Sequence, residues 1–343
     1  MSAARYAQLR LPDRPRLAPW LSIVSLGDNR LQLRSVESSH TFTHKLLIEV
    51  FRQIEKFLDG RHSVDEIVAS VDMDVLPSTV VFVLKLLQGK GLLQPGGDAG
   101  LDEDQWGKWS KQLQFLSHFV PDSSNAHSVL ATARVGVLGV GDVPQAIVSG
   151  MGSIGVGAVV PLAHMPTVRL ENSEELANLD LIIVCGEFPS FGFFEAVNKA
   201  LLVRGARWLR VCAAGISAQI GPTFIPFQTA CHTCLDLRVR THQLDADGYL
   251  AYRDQLETAG RRPDEGLISP FCAAVAGQAV LEAMRLLTGF APPVTIGRFY
   301  ELSARSPATI PHEVLRVPRC KSCGRQRTTP ELWDRDYVAM TGG

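Results

Sequence analysis

The sequence carries no excess of either charge: 34 Lys and Arg stand against 35 Asp and Glu, for a formal net charge of -1. That balance removes the global field by which a chain seeks nucleic acid or an anionic membrane. The opening stretch MSAARYAQLRLPDRPRLAPWL holds four arginines but no apolar core of signal-peptide length. No later stretch reaches the roughly 18 uninterrupted apolar residues of a membrane span. Internal repeats and low-complexity tracts are also missing. The expectation is a cytoplasmic protein with neither nucleic acid nor membrane as a partner. What is present, 343 residues at 46% hydrophobic and 20% charged, is enough for two well-cored domains.

Seven cysteines, an odd number in a chain without a secretory signal, argue against a disulfide framework. Four of them form two C-x-x-C units: Cys231 and Cys234 in ACHTCLDLR, and Cys320 and Cys323 in RCKSCGR, with 85 residues (235–319) between the units. Two thiolates three residues apart on a tight turn can face one ion, and four soft sulfurs suit tetrahedral Zn²⁺ with no open position. The site is therefore expected to be structural. A redox C-x-x-C is the competing reading, but it would occur once, at a helix start. His232 is a spare ligand that four thiolates leave unused. Cys185, Cys212 and Cys272 lie in apolar runs and are expected to be buried and inert.

Residues 1–95 read as a small domain. LSIVSL and LQLRSV alternate across the turn GDNR, a hairpin signal, and SSHTFTH offers a third strand. Leu46, Leu47, Val50, Phe51, Ile54, Phe57 and Leu58 fall at helical spacing and stop on Gly60. Ser63 and Glu66 form a capping box for a second helix, and LPSTVVFVLKLLQGKGLLQ makes a third that breaks at Gly89 or Gly91. Three strands and three helices make a winged-helix-like unit. DNA binding is disfavoured, since residues 21–95 hold eight Lys and Arg against nine Asp and Glu. Residues 96–130 are expected to be a linker, PGGDAGLDEDQ, an amphipathic helix, WGKWSKQLQFLSHFV, and a loop, PDSSNA.

From residue 131 strands alternate with helices: ARVGVLGVG, PQAIVSGMGSI, GVGAVVPL, a helix start at SEEL, LDLIIVCG and RWLRVCAAG. This predicts an α/β domain with a mostly parallel, Rossmann-like sheet. Its phosphate loop is damaged. Gly139 and Gly141 fit the G-x-G-x-x-G pattern, but Pro144 takes the third place and withdraws an N–H from the helix end that would hold a phosphate. Asp142 adds a carboxylate where phosphate charge belongs. Val159, Val160 and Pro161 occupy the place of the ribose-binding acid, so a nicotinamide dehydrogenase is disfavoured and ATP is not expected to bind. His118, His127, His164 and His242 lack a partner acid or nucleophile at a readable spacing, and the terminal Thr-Gly-Gly is read as coincidence.

RPRLAPWLSIVSLGDNRLQLRS, FLDGRHSVDEIV and a helix ending in GKGLL resemble the peptide-recognition domain of ribosomal-peptide-modifying enzymes, the PqqD-like fold related to the pyrroloquinoline-quinone peptide chaperone. The resemblance implies that a leader peptide docks as an added strand. Its edge strand would be His40, Thr41 and Phe42, and the facing helix would present Val81, Leu84, Lys85 and Gln88. The plain alternative is that Phe42, Val81 and Leu84 are core. The second domain resembles the ThiF-type ubiquitin-activating-enzyme superfamily, whose active members hold ATP with an intact glycine loop, a strand-end acid, an Asn-x-x-Arg-Gln segment and a later aspartate. Here only Glu187 stands near the last of these.

Together QTACHTCLDLRVRTH, SPFCAAVAGQAVLEAMRLLTG with GRFYEL, and VPRCKSCG resemble the leader-peptide-binding partner proteins of thiazole/oxazole-modified microcin biosynthesis. That resemblance implies a homodimeric, non-catalytic partner that presents a precursor peptide to a separate YcaO-type cyclodehydratase, which forms azolines from Cys, Ser or Thr. An active peptide adenylyltransferase of the ThiF/MccB type is the alternative.

Overall fold

Short alternating segments joined by tight turns, followed by apolar residues at helical spacing, produce a small sheet beside three helices in the first part of the chain. The computed structural model describes residues 9–96 apart from 28, 37 and 73, residues 103–162 apart from 121, and residues 170, 174–186, 191–258 and 266–324. The chain divides into two compact units, residues 1–128 and 129–343, each described by itself.

In the first unit β1 (Pro15–Leu17) pairs antiparallel with β5 (Leu93–Pro95). A three-stranded antiparallel sheet is ordered β2 (Ser22–Ser25), β3 (Leu31–Arg34), β4 (Ser39–Phe42). Its register places Leu31 opposite Phe42 and Leu33 opposite His40. The period of two turns these onto the core face, while Gln32 and Thr41 pair on the other face through a 3.1 Å side-chain hydrogen bond. The helices are α1 (Lys45–Ile54), α2 (Val64–Ala69) and α3 (Pro77–Gly89). The α-helix stops at Ile54 and a 3₁₀ turn, Glu55–Phe57, carries the chain on to Gly60. The Ser63/Glu66 capping box forms as read: Ser63 Oγ accepts the Glu66 N–H at 3.2 Å, and Glu66 Oε2 accepts the Ser63 N–H at 2.7 Å. Phe42, Phe51, Ile54, Leu84 and Leu87 close one buried core.

Then come α4 (Glu103–Ser117) and α5 (Ser123–Thr132). The expected loop PDSSNA is instead the start of α5, because Asp122 accepts the Asn125 N–H at 2.9 Å and caps it.

The second unit is built on a seven-stranded sheet. Its strands are β6 (Arg134–Leu138), β7 (Ala158–Pro161), β8 (Leu181–Gly186), β9 (Trp208–Ala214), β10 (Ser217–Phe224), β11 (Arg298–Ser303) and β12 (Ser306–Glu313). The spatial order is β12-β11-β10-β9-β8-β6-β7. Strands β7, β6, β8 and β9 run parallel, and β10 to β12 extend them as antiparallel neighbours. The helices are α6 (Asp142–Ser153), α7 (Phe191–Arg204), α8 (His232–Thr241), α9 (Ala246–Thr258) and α10 (Ser269–Thr288). Helix α6 packs on α10, and α7 on α8. The SEEL segment is a single 3₁₀ turn, Glu174–Leu176.

Among the described residues α10 is the one helix long and apolar enough, by length and composition, to cross a membrane. Its apolar content has another use: Phe271, Val275, Ala279 and Ala283 are buried within the unit. Glu282, wholly buried in the same helix, accepts the Thr295 N–H at 2.8 Å and hydroxyl at 2.7 Å and pairs with Arg285 at 3.1 Å.

Candidate metal centre, nucleotide cleft and peptide edge

The two C-x-x-C units meet. Cys231 is the N-cap residue of α8 and Cys234 lies in its first turn, while Cys320 and Cys323 sit in the turn that follows β12. All four sulfurs are buried and lie within 4.8 Å of one another. The separations are 3.8 Å for Cys231–Cys234, 3.6 Å for Cys231–Cys320 and 3.5 Å for Cys234–Cys323. A tetrahedron with Zn–S bonds of about 2.3 Å has edges of about 3.8 Å, so the donor set fits a zinc ion in both chemistry and size.

Without an ion between them the four sulfurs share one negative charge unevenly: Cys234 is held as the thiolate, while the hydrogen bond to Cys234 and burial push the Cys231 thiol up, and burial, then Cys234, raises Cys323. The Cys231 thiol hydrogen bonds to Cys234 and the Val317 N–H donates to it at 3.3 Å, which together lower the Cys234 thiol to about 4. The helix N-terminus adds its partial positive charge. Arg316 donates to the Cys323 carbonyl at 3.3 Å and to the Phe227 carbonyl, and Arg238 donates to the Leu315 carbonyl at 2.7 Å. These bonds draw the segment after β12 onto α8.

His232 does not join the sulfurs. Its ring stacks on Phe194 at 5.5 Å, next to Trp208, and burial, then Arg210 and Arg253, push its pKa well down. It is a neutral core residue. Cys185 and Cys212 are buried, and burial pushes the Cys185 thiol far up. Cys272 is likewise buried with a raised pKa, from burial and then Asp142. All three match the inert reading.

The damaged loop lies at the carboxyl ends of the parallel strands. Gly139 follows β6 at φ +144°, and Gly141 caps α6 at φ +117°. A small cleft, open to solvent, is lined by Val140, Asp142, Pro144, Cys185, Val211 and Leu267 among others. Strand order reverses here, where open α/β sheets bind ligands. Its described lining includes no cation. Pro144 is buried in the first turn of α6, and Asp142 is exposed beside the cleft. Val159, Val160 and Pro161 lie in β7. Glu187, His164 and the terminal Thr-Gly-Gly lie outside the described residues.

In the first unit, β4 pairs only with β3 among the described residues. Phe42 and Leu84 are core, at 6% and 0% exposure. His40, Val81, Lys85 and Gln88 are half-buried and Thr41 is exposed. Burial, then the charge of Lys90, lowers the His40 pKa. Among the described residues the buried Oε1 of Gln88 has no hydrogen-bond partner. His118 stacks on Trp20 at 4.2 Å and His127 packs at 4.9 Å against Trp109, so both serve packing.

Sequence reading missed Asn198, Thr233 and Ser322, which bridge the two cysteine turns. The signal was there: Thr233 and Ser322 hold the same place in C-H-T-C and C-K-S-C.

Residues 29–95 match the Winged Helix-turn-helix domain family. No curated protein matches the chain. A solved structure described as a heterocyclase in complex with substrate and cofactor is similar over 90% of this chain and 39% of its own, at 20% identity and a TM-score of 0.68. The heterocyclase TruD is similar over 91% of this chain and 43% of its own, at 20% identity and 0.71. E. coli MccB with ATP is similar over 90% and 99%, at 13% identity and 0.63. The chain spans about two-fifths of the length of the two heterocyclases. These likenesses establish the fold: an N-terminal winged-helix domain and an α/β domain with a mostly parallel central sheet, carrying four cysteines that could hold a metal.

Proposed function

We propose that this chain is a peptide-docking partner in azole-forming modification of ribosomal peptides. It binds the leader of a precursor peptide and presents the core to a separate YcaO-type cyclodehydratase. The observation that carries the reading is the edge of β4, which among the described residues is paired on one side only, with β3. An extended peptide added there would take up the free N–H and C=O groups of β4. Thr41, His40, Val81, Lys85 and Gln88 would line it. Phe42 and Leu84 support the edge from the core. The fold shared with the two heterocyclases and with MccB supports a place in such chemistry. In this reading the four cysteines hold zinc, the α/β domain is a platform and a dimer face, the cytoplasm is its compartment, and the domains run 1–95 and 131–343 with a linker between.

The test is fluorescence polarisation with a labelled leader from a precursor peptide encoded nearby. Val81→Asp and Gln88→Leu, each verified as folded by its melting temperature, are expected to weaken binding at least tenfold. Unchanged binding in both would overturn the docking surface.

The cleft at the strand ends favours one second reading, a peptide adenylyltransferase. Calorimetry with Mg²⁺ and ATP separates the two. The docking reading expects no binding, because the cleft offers Asp142 where a phosphate would need donors. Micromolar binding together with peptide-dependent ATP–pyrophosphate exchange would establish the adenylating enzyme.

A further inference from the structure

We infer that Asn198, Thr233 and Ser322 form a hydrogen-bonded clasp that joins the two cysteine turns and sets how slowly the site exchanges its metal. This goes beyond peptide docking and rests on the four cysteines holding zinc.

The argument begins at the start of α8. Cys231 occupies the N-cap position, where Ser, Thr, Asp or Asn normally accepts a hydrogen bond from the first turn. No side-chain cap comes from Cys231, whose sulfur faces the other three. The cap comes from another helix: the side-chain carbonyl of Asn198, in α7, accepts the His232 N–H at 3.0 Å. Asn198 is 1% exposed, so the bond forms away from water.

The same amide has a second task. Its Nδ2 donates to Thr233 Oγ1 at 3.3 Å, and Thr233 Oγ1 lies 2.8 Å from Ser322 Oγ. With Thr233 accepting from Asn198, its own proton is free to be donated to Ser322. Thr233 sits between Cys231 and Cys234, and Ser322 between Cys320 and Cys323. The middle residues of the two turns therefore bond directly, alongside the sulfurs.

A metal centre drawn from distant segments must bring its halves together, and it releases metal when they part. Here the halves are 85 residues apart, the stretch 235–319. The clasp restrains both turns without touching the ion, so they stay registered while one sulfur lets go. These three are positioning residues.

The test uses the full-length chain loaded with zinc, following metal transfer to a chromogenic chelator. Thr233→Val keeps volume and removes the hydroxyl, Ser322→Ala removes the partner on the other turn, and Asn198→Ala removes both the cap and the donor. Each is expected to release zinc about 10-fold faster, matching the low end of the roughly 10–100-fold loss of metal affinity on removing groups that orient metal ligands. The Thr233→Val/Ser322→Ala double variant should be no faster than the faster single variant, because both remove one shared bond. Thr233→Val and Ser322→Ala guard against the case in which Asn198→Ala fails to fold. Release at the wild-type rate in both, or multiplicative effects in the double variant, would overturn the clasp. A wild-type chain that carries much less than one zinc per chain would overturn the metal assignment itself, and the clasp with it.

Discussion

Replacing Gly139 by alanine separates two reasons for a glycine at this loop. If the loop served a pyrophosphate, Gly139 and Gly141 would matter for the approach of the ligand. The structure gives Gly139 another purpose: a Cβ there would stand 2.5 Å from the Cys185 carbonyl oxygen and 2.9 Å from the Cys185 Cβ, at φ +144°. At Gly141 a Cβ would meet nothing within 4 Å, although φ is +117°. A non-glycine residue in such backbone regions costs about 1–3 kcal/mol, and forcing atoms into a packed site adds about 1–3 kcal/mol more. Gly139→Ala should therefore destabilise the second unit by about 4 kcal/mol and Gly141→Ala by about 2 kcal/mol. The difference is the steric contribution of Cys185. Amide hydrogen exchange of β6 and β8 peptides measures both: about 4 kcal/mol corresponds to roughly a thousandfold loss of protection for amides that exchange by global opening. If Gly139→Ala kept wild-type protection, or Gly141→Ala proved the more damaging, the packing argument would fail and a ligand-based reason for the first glycine would return.

Three further outcomes are expected. Cys320→Ser should leave the chain short of one zinc by metal analysis and expose residues 314–324 to limited proteolysis, because a structural zinc contributes folding energy directly. Leu84→Ala, at a fully buried site, should cost about 2–5 kcal/mol in urea unfolding of the first unit, so loss of leader binding in that variant would report folding rather than contact. At Asp59, burial opposes ionisation, but hydrogen bonds from the Arg61 N–H and from His62 outweigh it and lower the carboxyl to about 2. A depressed carboxyl stabilises the fold above its unfolded value and loses that contribution as pH falls towards 2. Wild type should thus lose stability relative to Asp59→Asn on acidification from about pH 4 to 2. Equal acid sensitivity would contradict the hydrogen-bond assignment.

The sequence by itself determined most of the local elements and the four cysteines that come together. The capping box at Ser63 and Glu66, the alternation in LQLRSV and the spacing of the two C-x-x-C units are short-range signals, and each is read within a few residues. At PDSSNA the polar composition pointed to a loop, and a single aspartate cap started a helix instead. The β1–β5 pairing and the antiparallel extension β10 to β12 were not read, because strand partnership depends on contacts far apart in sequence. Only the tertiary structure decided which predicted groove residues are reachable. The three-residue step from Lys85 to Gln88 looks like the step from Val81 to Leu84 in a sequence, yet Leu84 faces the core and the others are partly exposed. It also decided what the retained glycine touches, and that a buried asparagine on α7 caps the helix that carries two of the cysteines. The physical reason is the same in each case. Periodicity and caps act along the chain, whereas burial and hydrogen-bond partnership are fixed when segments dozens of residues apart pack together.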